Sequence, residues 1–301
     1  MSDTIPVAVP RKGRPLEAVL ERLASVVDAA DASAVADSIT STLRYEKAIT
    51  KGSQTADRGP YERLADYSDT DDPTAPEYTL LRDDREAYPR RIVFDSATIP
   101  LGDSEVRLIG REEPFRSLRT HEFALGFDSA DLVLEEVVEL RPEGLGSLAE
   151  INARIDPKDT DVAVVTGLGD TVYHTLMATP ELVDGEDLDR EFVADHAGPL
   201  CISPRYERLV EAVLGTEATD GIEFVYPREA AEEEAAIADT GLGVYLTVTG
   251  STARDYGLVL GDHLFPSETV LMENTAETDE AAERLKRLLT EPAIETELSV
   301  D

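Results

Sequence analysis

Apolar residues recur along this chain with the spacings of strands and amphipathic helices in turn, which predicts an α/β protein. An apolar strand at residues 5–9 leads into a basic turn and then a helix that has Pro15 in its first turn. Spacings of three and four residues place the apolar side chains on one helical face. That face comprises Leu16, Val19, Leu20, Leu23, Val26 and Val27.

The alternation of strands and helices is clearest from residue 147 onward. Strands are predicted at 161–165, 199–202 and 222–226, with a further strand that ends before Thr249. Helices are predicted to begin at Ser147 and Ser203, and to cover 228–239 and 278–289. Strands that alternate with helices predict largely parallel sheets.

The region between these two parts has weaker periodicity. Residues 45–92 are polar and rich in Asp, Pro and Thr, and we interpret them as an insertion or a long, partly mobile excursion. RRIVFDSATIPL (90–101) and SEVRLIGREEPF (104–115) are predicted as two strands of a hairpin. ADLVLEEVVEL (130–140) is interpreted as another strand or a strand pair.

The net charge of the chain indicates the environment in which the protein works. It has 63 Asp and Glu against 28 basic residues, only five of which are Lys, and its net charge is −35. An acidic, Lys-poor surface is typical of a protein that works at very high salt, where screening removes most self-repulsion. The same charge argues against sequence-independent binding to nucleic acid.

The cysteine and histidine content and the lengths of the apolar runs argue against disulfides, metal sites and membrane-spanning segments. Cys201 is the only cysteine, which excludes an intrachain disulfide, and the four histidines have no metal-ligand spacing. No apolar run approaches the roughly 20 residues that cross a bilayer. The N-terminus does not look like a signal peptide, so we expect a cytoplasmic protein with no membrane partner.

Two strand-end turns are candidates for chemistry. One is Thr166-Gly167; the other is Thr249-Gly250-Ser251-Thr252, where N–H groups, hydroxyls and a helix N-terminus could together hold a phosphate. The alternative is that the second turn is only a capped strand-to-helix connection. Lys12, Gly13 and Arg14 form a basic turn that indicates either an anionic ligand or a plain surface turn.

Three segments carry a resemblance to a known family. They are IPVAVPRKGRPLEAVLERL (5–23), VAVVTGLGD (162–170) and AIADTGLGVYLTVTGSTARDYGLVLGDHLFPSETVLMEN (236–274). Together they resemble the ATP phosphoribosyltransferases of histidine biosynthesis, and the third segment is the most specific. With its acidic composition, the chain looks like a divergent short-form member from a halophilic archaeon.

The resemblance implies a two-lobed α/β fold like the type II periplasmic binding proteins, with a central cleft. It assigns 1–180 to lobe I, with an insertion at about 45–120 and completed by 264–301, and 181–263 to lobe II. The implied substrates are ATP and phosphoribosyl pyrophosphate, with Mg²⁺ as cofactor. The T-G-x-T loop would hold the 5′-phosphate. The implied partners are a histidyl-tRNA-synthetase-like regulatory subunit and further copies of the chain.

The chain also departs from the family pattern. Tyr245 stands where the family has an acid that can hold ribose hydroxyls, and Asp170 comes one position later than the corresponding family acid. LGFDSADLVL (125–134) resembles a piece that normally follows the second segment. We therefore keep two hypotheses, an ATP phosphoribosyltransferase-like enzyme and a divergent paralogue that binds a phosphorylated ligand as a sensor or regulatory subunit. A binding module for a different small anion is a weaker third.

Overall fold

The computed structural model describes residues 4–26, 30–50, 52–69, 72, 75–82, 90–101, 104–227 and 233–290. These residues form two compact units. The first comprises the described parts of Met1–Asp128, Asp161–Asp170 and Thr269–Glu295; the second comprises Ser129–Thr160 and the described parts of Thr171–Glu268. Residues 129–160 and 171–180, which the sequence analysis assigned to lobe I, therefore belong to the second unit. So do residues 264–268.

Each unit is built on its own sheet. The strands are β1 (Thr4–Pro10), β2 (Glu77–Arg82), β3 (Arg90–Leu101), β4 (Ser104–Arg111), β5 (Leu125–Ser129), β6 (Val162–Gly167), β7 (Val172–Ala178), β8 (Gly198–Cys201), β9 (Ile222–Val225), β10 (Leu242–Thr247), β11 (Val259–Ser267) and β12 (Thr269–Asn274). The helices are α1 (Arg14–Val26), α2 (Ala30–Thr50), α3 (Pro60–Tyr67), α4 (Pro114–Arg119), α5 (Ala130–Val137), α6 (Leu148–Ala153), α7 (Pro180–Val183), α8 (Arg190–Asp195), α9 (Glu207–Leu214), α10 (Glu233–Thr240), α11 (Ser251–Asp255) and α12 (Glu280–Thr290). The predicted two-lobed α/β fold class is confirmed.

The two sheets are mixed rather than largely parallel. The first has the order β2-β3-β4-β1-β5-β12-β6 and the second β11-β7-β10-β8-β9. β1 runs parallel to β4 and β5, and β8 runs parallel to β9 and β10. β3 is antiparallel to β2 and β4, β7 to β10 and β11, and β12 to β6. The predicted hairpin of β3 and β4 is confirmed. The expectation of largely parallel sheets is wrong, because strands far apart in sequence, such as β7 and β10 or β6 and β12, also pair antiparallel.

The core of the first unit forms where α1, α2 and α12 pack on the sheet. The predicted apolar face of α1 is confirmed for Leu16, Val19, Leu20 and Leu23, which are all buried. Val26 is only partly buried, and Val27 lies outside the described residues. α2 adds the side chains of Ala32, Ala36 and Ile39 to the same cluster.

Two sequence interpretations are corrected. Within residues 45–92, the described parts include the end of α2, α3 and β2, so this segment is not an irregular excursion. Its helices were missed because α2 buries only three apolar side chains, two of them alanines, and α3 has no buried residue. Residues 130–137 form helix α5, not a strand; Ala130, Val133, Leu134 and Val137 are buried at helical spacing. The described part of the chain contains no helix that is long and apolar enough to cross a membrane.

Arg154 is a structural clamp in the second unit. It is only 6% exposed and follows helix α6. Its guanidinium donates to the carbonyl oxygens of Glu143 and Gly144 at 2.7 Å each and to that of Ala212 at 3.2 Å. One side chain thus satisfies carbonyl groups from a loop and from α9.

We expect Arg154→Met to lower the free energy of unfolding by about 3 kcal/mol, because it leaves three carbonyl groups without this donor. Arg141→Met is the matched control, since Arg141 is half-exposed and pairs with Glu139 at 2.9 Å; it should cost less than about 1 kcal/mol. Urea unfolding in concentrated KCl measures both. Equal losses in the two variants would contradict the clamp.

Candidate anion-binding site

The predicted phosphate loop is an exposed turn between β10 and α11 in the second unit. Thr249, Ser251 and Thr252 are exposed, whereas Gly250 is buried. Gly250 is the N-cap of α11, and its N–H donates to Thr247 Oγ1 at 2.7 Å. The first N–H groups of a helix have no intrahelical acceptor, and in α11 they include those of Ser251 and Thr252. The loop therefore offers hydroxyls and amide groups at one exposed place.

Gly250 is required by the shape of this turn. Its φ is +67°, in the left-handed region that favours glycine. A Cβ at this position would lie 2.2 Å from Leu260 Cδ1. The turn therefore depends on the absence of a side chain here for two independent reasons.

Arg254 braces the same loop from the far end of α11. Its Nη1 donates to the carbonyl oxygen of Thr249 at 2.8 Å. The Thr249 and Ser251 hydroxyl oxygens lie 3.3 Å apart. A cation and two hydroxyls thus accompany the helix N-terminus, which is the chemistry that suits an anion.

Tyr245 lies four residues before Thr249 and is half-buried on β10, opposite Thr175 of β7. It packs against the apolar cluster that contains Ala253 of α11. Glu233, at the start of α10, is close enough for its charge to act on the phenol. Burial, with the Glu233 and Glu234 carboxylates, raises the pKa of Tyr245, so the phenol is neutral at ordinary pH. The sequence analysis missed Glu233, because nothing in its spacing connects it with Tyr245.

A buried polar group lies on the neighbouring strand. His174 of β7 is 1% exposed, and neither ring nitrogen has a hydrogen-bond partner among the described residues. Its Nε2 lies 4.0 Å from Asp131 Oδ2, and its ring meets that of Tyr206 edge-on at 4.7 Å. Burial, with a smaller contribution from Arg205, lowers the pKa of His174 from 6.5 to about 3. Burial, with the Asp131 carboxylate, raises the pKa of Tyr206 to about 12. Both rings are therefore neutral.

The basic turn and the Thr166-Gly167 turn meet within the first unit. Arg14 donates to the carbonyl oxygen and the carboxylate of Asp170, three residues after Gly167. Asp170 also accepts hydrogen bonds from Thr269, from the N–H to Oδ1 and from Oγ1 to Oδ2, each at 2.7 Å. Asp170 therefore ties Arg14 to the start of β12.

The remaining predicted residues have different surroundings. Thr166 and Gly167 end β6 and pair with Leu271 and Val270 of β12. The next element after β6 is strand β7, so this turn does not open a helix as Thr249–Thr252 does. Lys12 and Gly13 are exposed, and Gly13 has a φ of +83°. Lys12, Gly13 and Arg14 lie in the first unit and Thr249–Thr252 in the second.

The other three histidines have different surroundings. His121 is half-exposed and lies 3.0 Å from Glu277 Oε1, while His263 stacks on Tyr173 at 4.4 Å. His196 stacks on Phe192. Among the residues that the structure describes, no group of three or more His, Cys, Asp and Glu could hold a metal ion.

The chain is thus a two-unit α/β protein with an exposed strand-to-helix loop that carries hydroxyl side chains. The halobacterial ATP phosphoribosyltransferase family matches residues 1–300, so the chain belongs to that family. No curated protein sequence matches it.

Solved structures with a similar fold are distant. The ATP phosphoribosyl transferase (HisG:HisZ) complex of Thermotoga maritima is 14% identical, with 95% of this chain and 97% of that chain covered and a TM-score of 0.42. YhfZ of Shigella flexneri is 9% identical, with 95% and 84% covered and a TM-score of 0.46. A periplasmic binding protein of Brucella ovis with glutathione bound is 11% identical, with 62% and 53% covered and a TM-score of 0.33. The assignment of this chain rests on the family match.

We expect Gly250→Ala to destabilise the second unit by more than Gly257→Ala. Both glycines have positive φ, +67° and +74°, but nothing lies within 4 Å of a Cβ on Gly257. Gly257→Ala should therefore show the backbone cost alone, about 1 to 2 kcal/mol. Urea unfolding compares the two. If Leu260→Ala does not relieve part of the extra loss in Gly250→Ala, the collision with Leu260 is not its cause.

His174 should make stability depend on pH. Its pKa is lowered in the folded protein, so the unfolded chain takes up a proton that the folded chain does not. Stability is then full above about pH 6.5 and falls toward pH 3, by up to about 1.4 kcal/mol per pH unit. His174→Phe keeps an aromatic ring but cannot titrate, so its unfolding free energy should fall less steeply between about pH 6.5 and 5. Parallel curves for the two proteins would contradict this.

Proposed function

We propose that this protein condenses ATP with phosphoribosyl pyrophosphate, giving phosphoribosyl-ATP and pyrophosphate. The observation that carries the proposal is the Thr249–Thr252 loop, which lies in the family's most specific segment and is exposed as an anion site must be. The loop would hold the 5′-phosphate through its hydroxyls and the N–H groups of α11. Family membership supports the reaction class.

The rest of the reaction needs positioning and charge stabilisation more than covalent chemistry. The bond from ribose C1 to the pyrophosphate oxygen breaks as the bond to the adenine nitrogen forms, and pyrophosphate leaves with the electron pair. Mg²⁺ would offset charge on the departing pyrophosphate. It is held through one or two carboxylates and substrate phosphates in many such sites, so it does not need a cluster of protein ligands. We assign Lys12, Gly13 and Arg14 to the same substrates, with Arg14 held in place by Asp170.

Glu233 supports the proposal at the position where the family pattern is broken. A phenol cannot accept two hydroxyl hydrogen bonds as a carboxylate can. The charge of Glu233 helps to raise the pKa of the Tyr245 phenol, so α10 brings a carboxylate near this point of β10. We assign to this pair the contact with the ribose hydroxyls. On the resemblance alone, we extend the proposal to a histidyl-tRNA-synthetase-like regulatory subunit and a homo-oligomer.

Tyr245 also motivates a second candidate. A divergent paralogue would keep the phosphate loop as a sensor or regulatory subunit and bind a phosphorylated or nucleotide ligand without turning it over. The loop geometry is the same in both cases, so only turnover separates them.

The decisive experiment mixes the full chain with ATP, Mg²⁺ and phosphoribosyl pyrophosphate in concentrated KCl. We expect phosphoribosyl-ATP, detected by chromatography. Absence of product, with phosphoribosyl pyrophosphate still raising the melting temperature, would reject the enzyme and support the ligand-binding paralogue. Absence of both effects would reject both functions.

The loop is tested by Thr249→Val and Ser251→Ala rather than by a change at Gly250, whose replacement disturbs packing. Each removes one exposed hydroxyl, and a lost hydrogen bond to a charged phosphate should weaken phosphoribosyl pyrophosphate binding about tenfold or more. Thr275→Val is the control, since Thr275 is exposed in the first unit and its hydroxyl donates to Asp161 O at 3.1 Å. Binding is measured by calorimetry. Equal affinities in all these proteins would show that the loop is only a turn.

A further inference from the structure

The first unit contains a cavity of about 350 Å³ beside the basic turn. It lies against the start of α1, the second half of α2 and strand β3, so the segment that the sequence analysis treated as an insertion builds most of it. This volume is at the lower end of the range for small-molecule sites. The residues that line it are Lys12, Gly13, Glu17, Leu43, Arg44, Glu46, Lys47, Thr50, Arg91, Ile92 and Val93.

The charge of the lining is opposite to that of the protein. Four of these residues are cations, namely Lys12, Arg44, Lys47 and Arg91. The chain as a whole carries −35 and has only five lysines, of which two lie at this cavity. Cations that converge in a concave surface raise the local concentration of anions.

Both carboxylates of the lining are already engaged by guanidinium groups. Glu17 accepts from Arg44 at 2.8 Å. Glu46 is 3% exposed and accepts from Arg63 Nε at 2.7 Å and Nη2 at 2.8 Å, and from Tyr67 at 2.9 Å. Glu46 is therefore neutralised by Arg63, which is outside the lining, whereas Glu17 offsets the charge of Arg44. The four cations of the lining still outnumber its two acids. Within the described ranges, Lys47 forms no ion pair.

We propose that this cavity binds the phosphate chain of a small ligand that carries a pyrophosphate group. Lys12 of the basic turn and Lys47 of α2 would contact its oxygens, together with Arg91 of β3. Leu43, Ile92 and Val93 give the cavity an apolar wall against which a less polar part of the ligand can pack. The ligand is either a substrate of the proposed reaction or a separate phosphate-bearing effector. Only the first of these sources rests on the proposed function.

The test is a calorimetric titration of the full chain with inorganic pyrophosphate in concentrated KCl, where screening leaves only close charge contacts effective. Lys47→Gln should weaken pyrophosphate binding about five- to tenfold. Lys158→Gln is the matched control, because Lys158 is an exposed lysine of the second unit and makes the same change in net charge. It should leave the affinity unchanged.

The outcomes separate this inference from the proposed reaction, since calorimetry needs no turnover. Equal affinities in Lys47→Gln and Lys158→Gln, or no pyrophosphate binding at all, would overturn the inference even if phosphoribosyl-ATP is formed. A loss specific to Lys47→Gln supports it even if no product is formed. Repeating the titration with saturating ATP or phosphoribosyl pyrophosphate identifies the source. Loss of the Lys47-dependent binding means a substrate phosphate chain, and its persistence means a separate effector.

Discussion

The first unit depends on the carboxylate of Asp170. This unit is assembled from three separate stretches of chain, and Asp170 ends the second of them while Thr269 begins the third. Both carboxylate oxygens accept hydrogen bonds from Thr269, and the same group receives the guanidinium of Arg14 from the first stretch. One side chain thus connects all three stretches. It also fixes the basic turn, because Arg14 is the first residue of α1.

Because of this connection, the neighbouring cations of the basic turn have different contacts. Arg14 is engaged with Asp170, whereas Lys12 lies at the cavity beside α2. Arg63 and Arg154, like Arg14, are engaged within the fold. Arg63 binds the buried carboxylate of Glu46, and Arg154 donates to main-chain carbonyl groups. In a chain with 28 basic and 63 acidic residues, a cation that serves no such structural purpose is informative. Lys47 is that kind of residue. Its position at the cavity therefore supports an inference that its neighbours in the sequence do not support.

Elements with a local sequence pattern were predicted correctly. Features that depend on contacts between separate segments were not. The strand, basic turn and helix at the N-terminus were predictable because Leu16 to Leu23 keep a clear helical period. Helix α5 was not, since its run of Leu and Val also suits a strand, and the burial of Val133 and Val137 is decided by tertiary packing. The Thr249–Thr252 loop was found from composition and spacing. Glu233 beside Tyr245, and Asp131 beside His174, pair residues that are distant in sequence and have no shared pattern.

The replacement of an acid by Tyr245 has a different meaning once its surroundings are known. Read alone, a neutral phenol removes a double acceptor from β10. In the folded unit, however, the carboxylates of Glu233 and Glu234 on α10 act together with burial to keep that phenol protonated. A protonated phenol can donate one hydrogen bond, and the carboxylates of α10 can accept, so donor and acceptor groups are both present around this point of β10. Under the proposed function, the substitution would change which element supplies the acid.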